Sequence, residues 1–190
     1  MGETDPRPLA GRITRRQLLQ AGLVGALGLL GWAGVERTML RVERVAVRVA
    51  APTGPFPPLQ VALLTDLHVG HWATHRLAER GVARTNRLAP DLVLLGGDLM
   101  HDDISDGELR GTARTLAGLR APLGAYAVLG NHDYGAGPAR VQAALEDAGV
   151  FGLVNEGRRL PLGPGNLWLA GLDDCWEGRP DRCSAASPCS

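Results

Sequence analysis

The sequence has 190 residues, of which 45% are hydrophobic and 21% are charged. This size suits one domain with a buried core plus a terminal segment, and it is short for two full domains. The 20 basic residues balance the 20 acidic ones, which argues against an acidic disordered chain and against nucleic-acid binding as the main role.

Two adjacent arginines, Arg15 and Arg16, precede a glycine- and alanine-rich stretch that has no charged side chain up to Val35. This pattern resembles a twin-arginine export signal. At 18 residues, Leu18–Val35 is at the short end of the lengths that span a bilayer. Segment 1–35 is therefore predicted to be an export signal or a membrane anchor. The alternative, a buried amphipathic helix, is disfavoured by five glycines at three-residue spacing. The protein would then use the twin-arginine export machinery and lie on the periplasmic or extracytoplasmic face of the membrane.

Strand-like patterns recur through the rest of the chain. Apolar and polar residues alternate over 40–49, which predicts a strand with one exposed face. Apolar runs at 60–65, 91–95 and 124–129 predict three strands inside a sheet. Two later strands, at 153–162 and 166–172, are predicted on either side of a turn rich in proline and glycine.

Helical periodicity fills the gaps between these strands. One crossover helix is predicted from an N-cap at Thr74 to Leu88, a second helix over 108–119 and a third over 138–148. The alternation of strand and helix predicts an α/β sheet with right-handed crossovers.

A short polar cluster follows each of the three buried strands. The clusters are Asp66-Leu67-His68, Gly97-Asp98 and Gly130-Asn131-His132-Asp133. Ligands of open α/β sheets bind beyond the carboxyl ends of the strands, so the three clusters should meet at one place. Carboxylate, amide and imidazole groups of this kind suit divalent metal ions.

The three clusters resemble the motifs Asp-x-His, Gly-Asp and Gly-Asn-His-Asp/Glu of the calcineurin-like metallophosphoesterases, over about residues 45–177. With the arginine pair, the chain is most similar to the exported bacterial phosphodiesterase branch. The resemblance implies an α/β fold of the αββα sandwich type. It also implies a hydrolase that uses two divalent metal ions (Mn, Fe or Zn) and an activated water to cleave phosphoester bonds, in mono-, di- or pyrophosphates of small molecules or lipids.

The resemblance also implies roles for single residues. Asp66 and His68 would bind the first metal, Asp98 would bridge both metals, and Asn131 would bind the second. His132 would lie beside the scissile phosphate, where it stabilises charge or protonates the leaving oxygen. Asp133 would orient the ring of His132.

The chain departs from the family pattern in its last third. No histidine follows His132, although the resemblance implies three later imidazole ligands. His71, His75 and His101 are predicted to be solvated or to cap loops instead of binding metal. Residues 178–190 have no periodicity and are predicted to be an aberrant or unstructured tail, so that 40–177 would be the N-terminal part of a domain incomplete at its C-terminus. The alternative function is therefore a truncated, inactive remnant or a non-enzymatic binding protein.

Overall fold

The computed structural model describes residues 14–36, 39–48, 57–70, 75–163 and 165–186. The chain divides into two compact units, residues 1–43 and residues 44–190. The first unit contains helix α1, Arg15–Glu36, and apolar side chains in its first part are exposed, Leu23 by 62% and Val24 by 70%. No helix within the described ranges combines the length and the apolar character needed to cross a membrane. The glycine-rich segment thus forms a helix.

Four parallel strands form the central sheet of the second unit. They are β1 Val61–Leu64, β2 Leu92–Leu95, β3 Ala125–Ala127 and β4 Val150–Gly152. Their spatial order is β1-β2-β3-β4, and all three pairings are parallel. The predictions of strands at 60–65, 91–95 and 124–129 are confirmed with shorter bounds, whereas the sequence pattern does not predict β4.

Helices make the crossovers that parallel strands require. They are α2 His75–Arg87, α3 Asp106–Leu116, α4 Asn131–Gly135 and α5 Pro138–Asp147. Helix α3 begins with a capping box, in which Ser105 and Glu108 each accept a hydrogen bond from the other's backbone N–H. The three predicted helices are confirmed, and the predicted N-cap Thr74 lies outside the described residues.

The alternation of side chains along the strands separates two apolar cores. Val93 and Leu95 of β2 point to the main core, which contains apolar residues of α2, α3 and α5. Leu92 and Leu94 point to the opposite face, where they pack with Leu160 of a following hairpin. Because successive side chains of a strand face opposite ways, β2 needs apolar residues at every position.

The hairpin that covers this second face consists of β5 Glu156–Leu162 and β6 Gly165–Gly171, paired antiparallel. The described part of the second unit therefore has three layers: helices, parallel sheet and hairpin. This is a mixed α/β fold, as predicted. The predicted strand at 153–162 is wrong at its start, because Leu153 to Asn155 form the connection between β4 and β5.

Two further predictions differ from the structure. Residues 39–48 have no regular secondary structure, and Val45 and Val47 are 82% and 76% exposed. A strand needs a hydrogen-bonded neighbour as well as alternation, and the described residues provide none for this segment. Part of the predicted unstructured tail is ordered: helix α6, Arg182–Ala185, lies against β5, and Trp168 Nε1 donates a hydrogen bond to the carbonyl oxygen of Ala185 at 3.0 Å.

Candidate metal centre

The loops that follow β1, β2 and β3 meet at the carboxyl edge of the sheet. The backbone N–H of Asp66 donates to the Gly97 carbonyl at 3.1 Å, and that of His68 donates to the Asp98 carbonyl at 3.0 Å. These bonds continue the pairing of β1 with β2 beyond the strands themselves. They fix Asp66, His68 and Asp98 side by side.

The side chains of these three residues converge. His68 Nε2 lies 3.8 Å from Asp66 Oδ1 and 3.9 Å from Asp98 Oδ2. Two donor atoms that each lie about 2.1 Å from one cation can be at most about 4.2 Å apart, so both separations are compatible with a shared ion. Two carboxylates and an imidazole also suit Mn, Fe and Zn. His68 together with either carboxylate therefore fits one divalent cation.

The backbone of all three residues is in the left-handed region. The φ angles are 57° for Asp66, 44° for His68 and 52° for Asp98. For residues other than glycine this conformation costs about 1–3 kcal/mol each, and it persists where the surroundings enforce it, often at functional sites. Three such residues in contact mark this edge of the sheet as a strained site.

The third loop packs against Asp98 through a glycine. A Cβ on Gly130 would collide with Asp98 Oδ1, and a Cβ on Gly97 would lie 2.7 Å from the Gly130 nitrogen. The same Asp98 Oδ1 accepts a hydrogen bond from the His132 backbone N–H at 3.0 Å. Glycines are therefore required at both positions for the second and third loops to approach each other.

This approach brings the start of α4 to the centre. Asn131 lies between Gly130 and His132, and its role as a ligand of a second metal stays a prediction. The His132 ring meets the His68 ring edge to face, with centroids 4.6 Å apart. Ligand atoms of His68, Asp98 and His132 all lie within 4.8 Å of one another. His132 therefore joins His68 and Asp98 as a side chain that can contact a cation, or a molecule bound to that cation.

Asp133 does not orient His132, so this prediction is wrong. Its side chain is fully buried, and its Oδ1 accepts from the N–H groups of Leu99 at 3.0 Å and Met100 at 2.9 Å, while Oδ2 accepts from that of Gly130 at 3.0 Å. Successive helical residues point about 100° apart, so Asp133 turns away from His132 and back to the helix start. Burial raises the pKa of the Asp133 carboxyl, the N–H groups of Gly130, Met100 and Leu99 act in the opposite direction, and the negative charge of Asp98 raises it further.

Asp102 holds the His132 ring instead. Its Oδ1 lies 2.8 Å from His132 Nδ1. The neighbouring His101 also belongs to the site: its ring stacks on that of His132 with centroids 5.3 Å apart, and its Nδ1 lies 2.8 Å from Asp103 Oδ1. The group of side chains that can hold a metal ion does not include His101, and its contact with Asp103 lies within its own loop, so its predicted loop-capping role stays a prediction. The sequence does contain a signal, because His101, Asp102 and Asp103 follow the Gly-Asp motif after only two apolar residues.

Of the remaining histidines, the structure describes His75. His75 begins α2, where its ring packs against Gly111 of α3. His71 lies outside the described residues. The site histidines of the described chain are thus His68, His101 and His132.

We expect Asp102→Ala to lower the kcat of any turnover at this centre about 10–100-fold, with little change in KM. The substitution leaves the metal-facing carboxylates in place but releases the Nδ1 side of His132. Steady-state kinetics measures the split between kcat and KM. Asp102→Asn keeps an oxygen acceptor for Nδ1 and should restore part of the loss.

Two further variants test this positioning role. Asp103→Ala removes a neighbouring carboxylate that contacts His101 instead of His132, and it should change kcat by less than about tenfold, the lower bound for loss of an orienting partner. A Cβ on Gly135 would lie 2.6 Å from Asp102 Oδ1, so Gly135→Ala should displace this carboxylate and reproduce the Asp102→Ala kinetics. An unchanged kcat in both Asp102→Ala and Gly135→Ala would contradict the assigned role.

Comparisons with known proteins identify the family of this sequence. The profile of the calcineurin-like phosphoesterase family matches residues 59–177. The metallophosphoesterase YkuE of Bacillus subtilis is 27% identical over 181 residues, which is 90% of this chain and 63% of that protein. The phosphodiesterase YaeI of Escherichia coli is 28% identical over 125 residues, covering 64% of this chain and 46% of the relative.

A third relative carries a named substrate. The UDP-2,3-diacylglucosamine pyrophosphatase LpxG of Chlamydia trachomatis is 30% identical over 104 residues, covering 54% of this chain and 31% of that protein. The chain thus spans less than two thirds of the length of each of these relatives. Residues 59–177 include all three strand-end clusters and most of the described second unit. The chain therefore belongs to the calcineurin-like phosphoesterase family.

Proposed function

We propose that this protein hydrolyses phosphoester bonds at a centre of two divalent cations held by Asp66, His68, Asp98 and Asn131. The observation that supports this most directly is the position of His68 Nε2, within 4 Å of a carboxylate oxygen on each side. Such a donor set binds Mn, Fe or Zn. When bound, the cations supply Lewis acidity and a water of lowered pKa.

His132 and Asp102 contribute the proton chemistry in this proposal. Asp102 contacts Nδ1 of the His132 ring, which fixes the orientation of the ring and leaves Nε2 for the substrate. From Nε2 a proton can be donated to a phosphoryl oxygen or to the leaving oxygen. Asp133 has a structural role. Its carboxylate accepts hydrogen bonds from backbone N–H groups of the second loop and of the third loop, and so holds the two loops together.

We propose a phosphodiester or pyrophosphate bond as the target, in a small-molecule or lipid substrate. Two relatives support this choice by their names, a phosphodiesterase and a pyrophosphatase of a UDP-linked diacyl sugar. The site lies at an edge of the sheet where Asp66 and Asp102 are 62% and 53% exposed. An open site of this kind can admit a substrate with a large organic group.

The purified full chain tests the proposal with bis(p-nitrophenyl) phosphate and Mn²⁺. We expect nitrophenol release that stops when EDTA removes the metal and returns when Mn²⁺ is added back. Release that is the same in EDTA would contradict a metal-dependent hydrolase. The measurement also addresses Fe and Zn, which can replace Mn²⁺ in the add-back step.

The second candidate is a protein that binds phosphoesters without turning them over. The cluster of His68, Asp98 and His132 would serve such a protein as well, because holding a cation and a phosphoester needs the same donor groups as cleaving the ester. Metal-dependent binding of the diester without nitrophenol release would support this candidate. Metal-dependent release would reject it.

For the N-terminal segment we propose export by the twin-arginine route, to the extracytoplasmic face of the membrane. The support is the arginine pair at the start of α1, whose described apolar side chains are exposed. Arg15→Lys with Arg16→Lys keeps both charges, and we expect it to retain the full chain in the cytoplasm of a bacterial host. Fractionation of the tagged chain measures this, and equal export of both forms would contradict the proposal.

A further inference from the structure

The loop that follows β6 lies at the same edge of the sheet as the metal centre. Strand β4 runs parallel to β3, so its last residue Gly152 is at the carboxyl edge. Strand β5 begins at Glu156, shortly after this edge, and Glu156 pairs with Gly171, the last residue of β6. The chain from residue 172 to residue 181 therefore starts beside the strand ends that carry the three clusters.

A hydrogen bond ties this loop to the helix that carries His132. The Tyr134 hydroxyl of α4 donates to Asp173 Oδ1 at 2.5 Å. Burial, together with this bond to Asp173, raises the pKa of Tyr134 to about 12, so the phenol keeps its proton at neutral pH. Tyr134 is two residues from His132, and the loop is thus anchored directly at the site.

The rest of the loop is held by hydrogen bonds to backbone groups. Asp173 Oδ2 accepts from the Arg179 N–H at 2.8 Å. Asn155 Oδ1 accepts from the N–H groups of Asp173 at 3.1 Å and Asp181 at 2.7 Å. Asp174 Oδ1 accepts from the Trp176 N–H at 2.8 Å. The loop has a defined shape on the surface.

Trp176 lies on this defined loop with 79% of its surface exposed. A large aromatic side chain gains free energy by burial, so a tryptophan left exposed on an ordered loop that is anchored to α4 is available to pack on a ligand. Acidic residues, Asp174 and Glu177, stand on both sides of it. Their charge disfavours additional phosphate groups at this place and favours an uncharged apolar group.

We propose that Trp176 is a substrate-binding residue that packs on an apolar organic group esterified to the phosphate. This inference rests on the proposed function and deepens it, because it assigns the class of substrate. The preferred substrates are phosphodiesters with an aromatic or otherwise apolar ester group, in place of small alkyl diesters or polyphosphates. In this proposal the metal centre binds the reacting phosphate, and Trp176 contacts only the organic group and so determines which organic groups bind.

Two diesters of equal charge separate this contact from phosphate binding. The affinity of the full chain for diphenyl phosphate and for dimethyl phosphate is measured by isothermal titration calorimetry with Mn²⁺ present. We expect the wild type to bind diphenyl phosphate about tenfold more tightly, and Trp176→Ala to reduce this preference to about twofold or less. Trp176→Phe should keep most of the preference.

Val47→Ala is the matched control, because Val47 is 76% exposed and belongs to the segment before the sheet. It should keep the full preference for diphenyl phosphate. Circular dichroism checks that Trp176→Ala is folded, which its exposed side chain leads us to expect. An unchanged preference in Trp176→Ala, or no preference in the wild type, would overturn the inference.

The two proposals can fail separately. Metal-dependent hydrolysis of bis(p-nitrophenyl) phosphate together with an unchanged preference in Trp176→Ala overturns the role of Trp176 and leaves the hydrolase intact. A preference that depends on Trp176, without any metal-dependent hydrolysis, supports the contact and rejects the hydrolase.

Discussion

Replacing Asp98 with alanine should lower metal-dependent hydrolysis of bis(p-nitrophenyl) phosphate at least about a thousandfold. Asp98 contacts both neighbouring loops, since its Oδ2 lies 3.9 Å from His68 Nε2 and its Oδ1 accepts from the His132 N–H at 3.0 Å. Metal stabilisation of charge contributes several kcal/mol, and about 4 kcal/mol corresponds to a thousandfold in rate. Initial rates over a range of Mn²⁺ concentrations measure the loss.

Two variants separate charge from structure in this experiment. Asp98→Asn keeps an oxygen that can accept from the His132 N–H but removes the negative charge, so it should lose most of the Mn²⁺ affinity while staying folded. Asp147→Ala removes an exposed carboxylate at the end of α5, next to the start of β4 and therefore at the opposite edge of the sheet, and it should have no effect. Activity of Asp98→Ala within tenfold of the wild type would reject the assigned site.

Replacing Asp133 with alanine should lower the free energy of unfolding by about 3 kcal/mol or more. The substitution leaves the backbone N–H groups of Leu99, Met100 and Gly130 without their acceptor in a buried place. Each buried unsatisfied group costs about 1–3 kcal/mol. Urea denaturation followed by circular dichroism measures the change.

Asp102→Ala is the matched control for this prediction. Its carboxylate is half exposed and contacts a side chain, so its removal should change the free energy of unfolding by less than about 1 kcal/mol. Asp133→Asn keeps one oxygen acceptor but turns its own N–H group towards a backbone N–H group. Its loss in free energy of unfolding should therefore lie between the losses of Asp102→Ala and Asp133→Ala. A loss below about 1 kcal/mol in Asp133→Ala would contradict the buried role.

The strands of the sheet could be predicted where their apolar character is strong. β2 is buried on both faces and has an apolar residue at every position. Its sequence is therefore a continuous apolar run, which predicts a buried strand. β4 has only three residues, too few for a period, and its existence depends on hydrogen bonds to β3. The alternating segment at 40–49 shows the converse, because alternation without a pairing neighbour does not make a strand.

The candidate site could be predicted as far as it depends on strand ends. Asp66, His68 and Asp98 follow two adjacent parallel strands, so the topology alone brings them to one edge. The partner of His132 depends on helix geometry and on the path of the loop after β2. Asp133 is the neighbour in sequence but turns back to the helix start, while Asp102, thirty residues away, reaches the ring. The spacing of these residues along the chain does not show which carboxylate contacts His132.

The central claim is that Asp66, His68 and Asp98 surround a divalent cation. Anomalous diffraction from crystals of the full chain grown with Mn²⁺ tests it most directly. We expect a peak about 2.1–2.2 Å from His68 Nε2 and from a carboxylate oxygen of Asp66 and of Asp98, and no such peak in Asp98→Ala. A crystal grown with saturating Mn²⁺ and with no anomalous peak within about 2.5 Å of His68 Nε2, the limit for a coordinating donor, would contradict the claim.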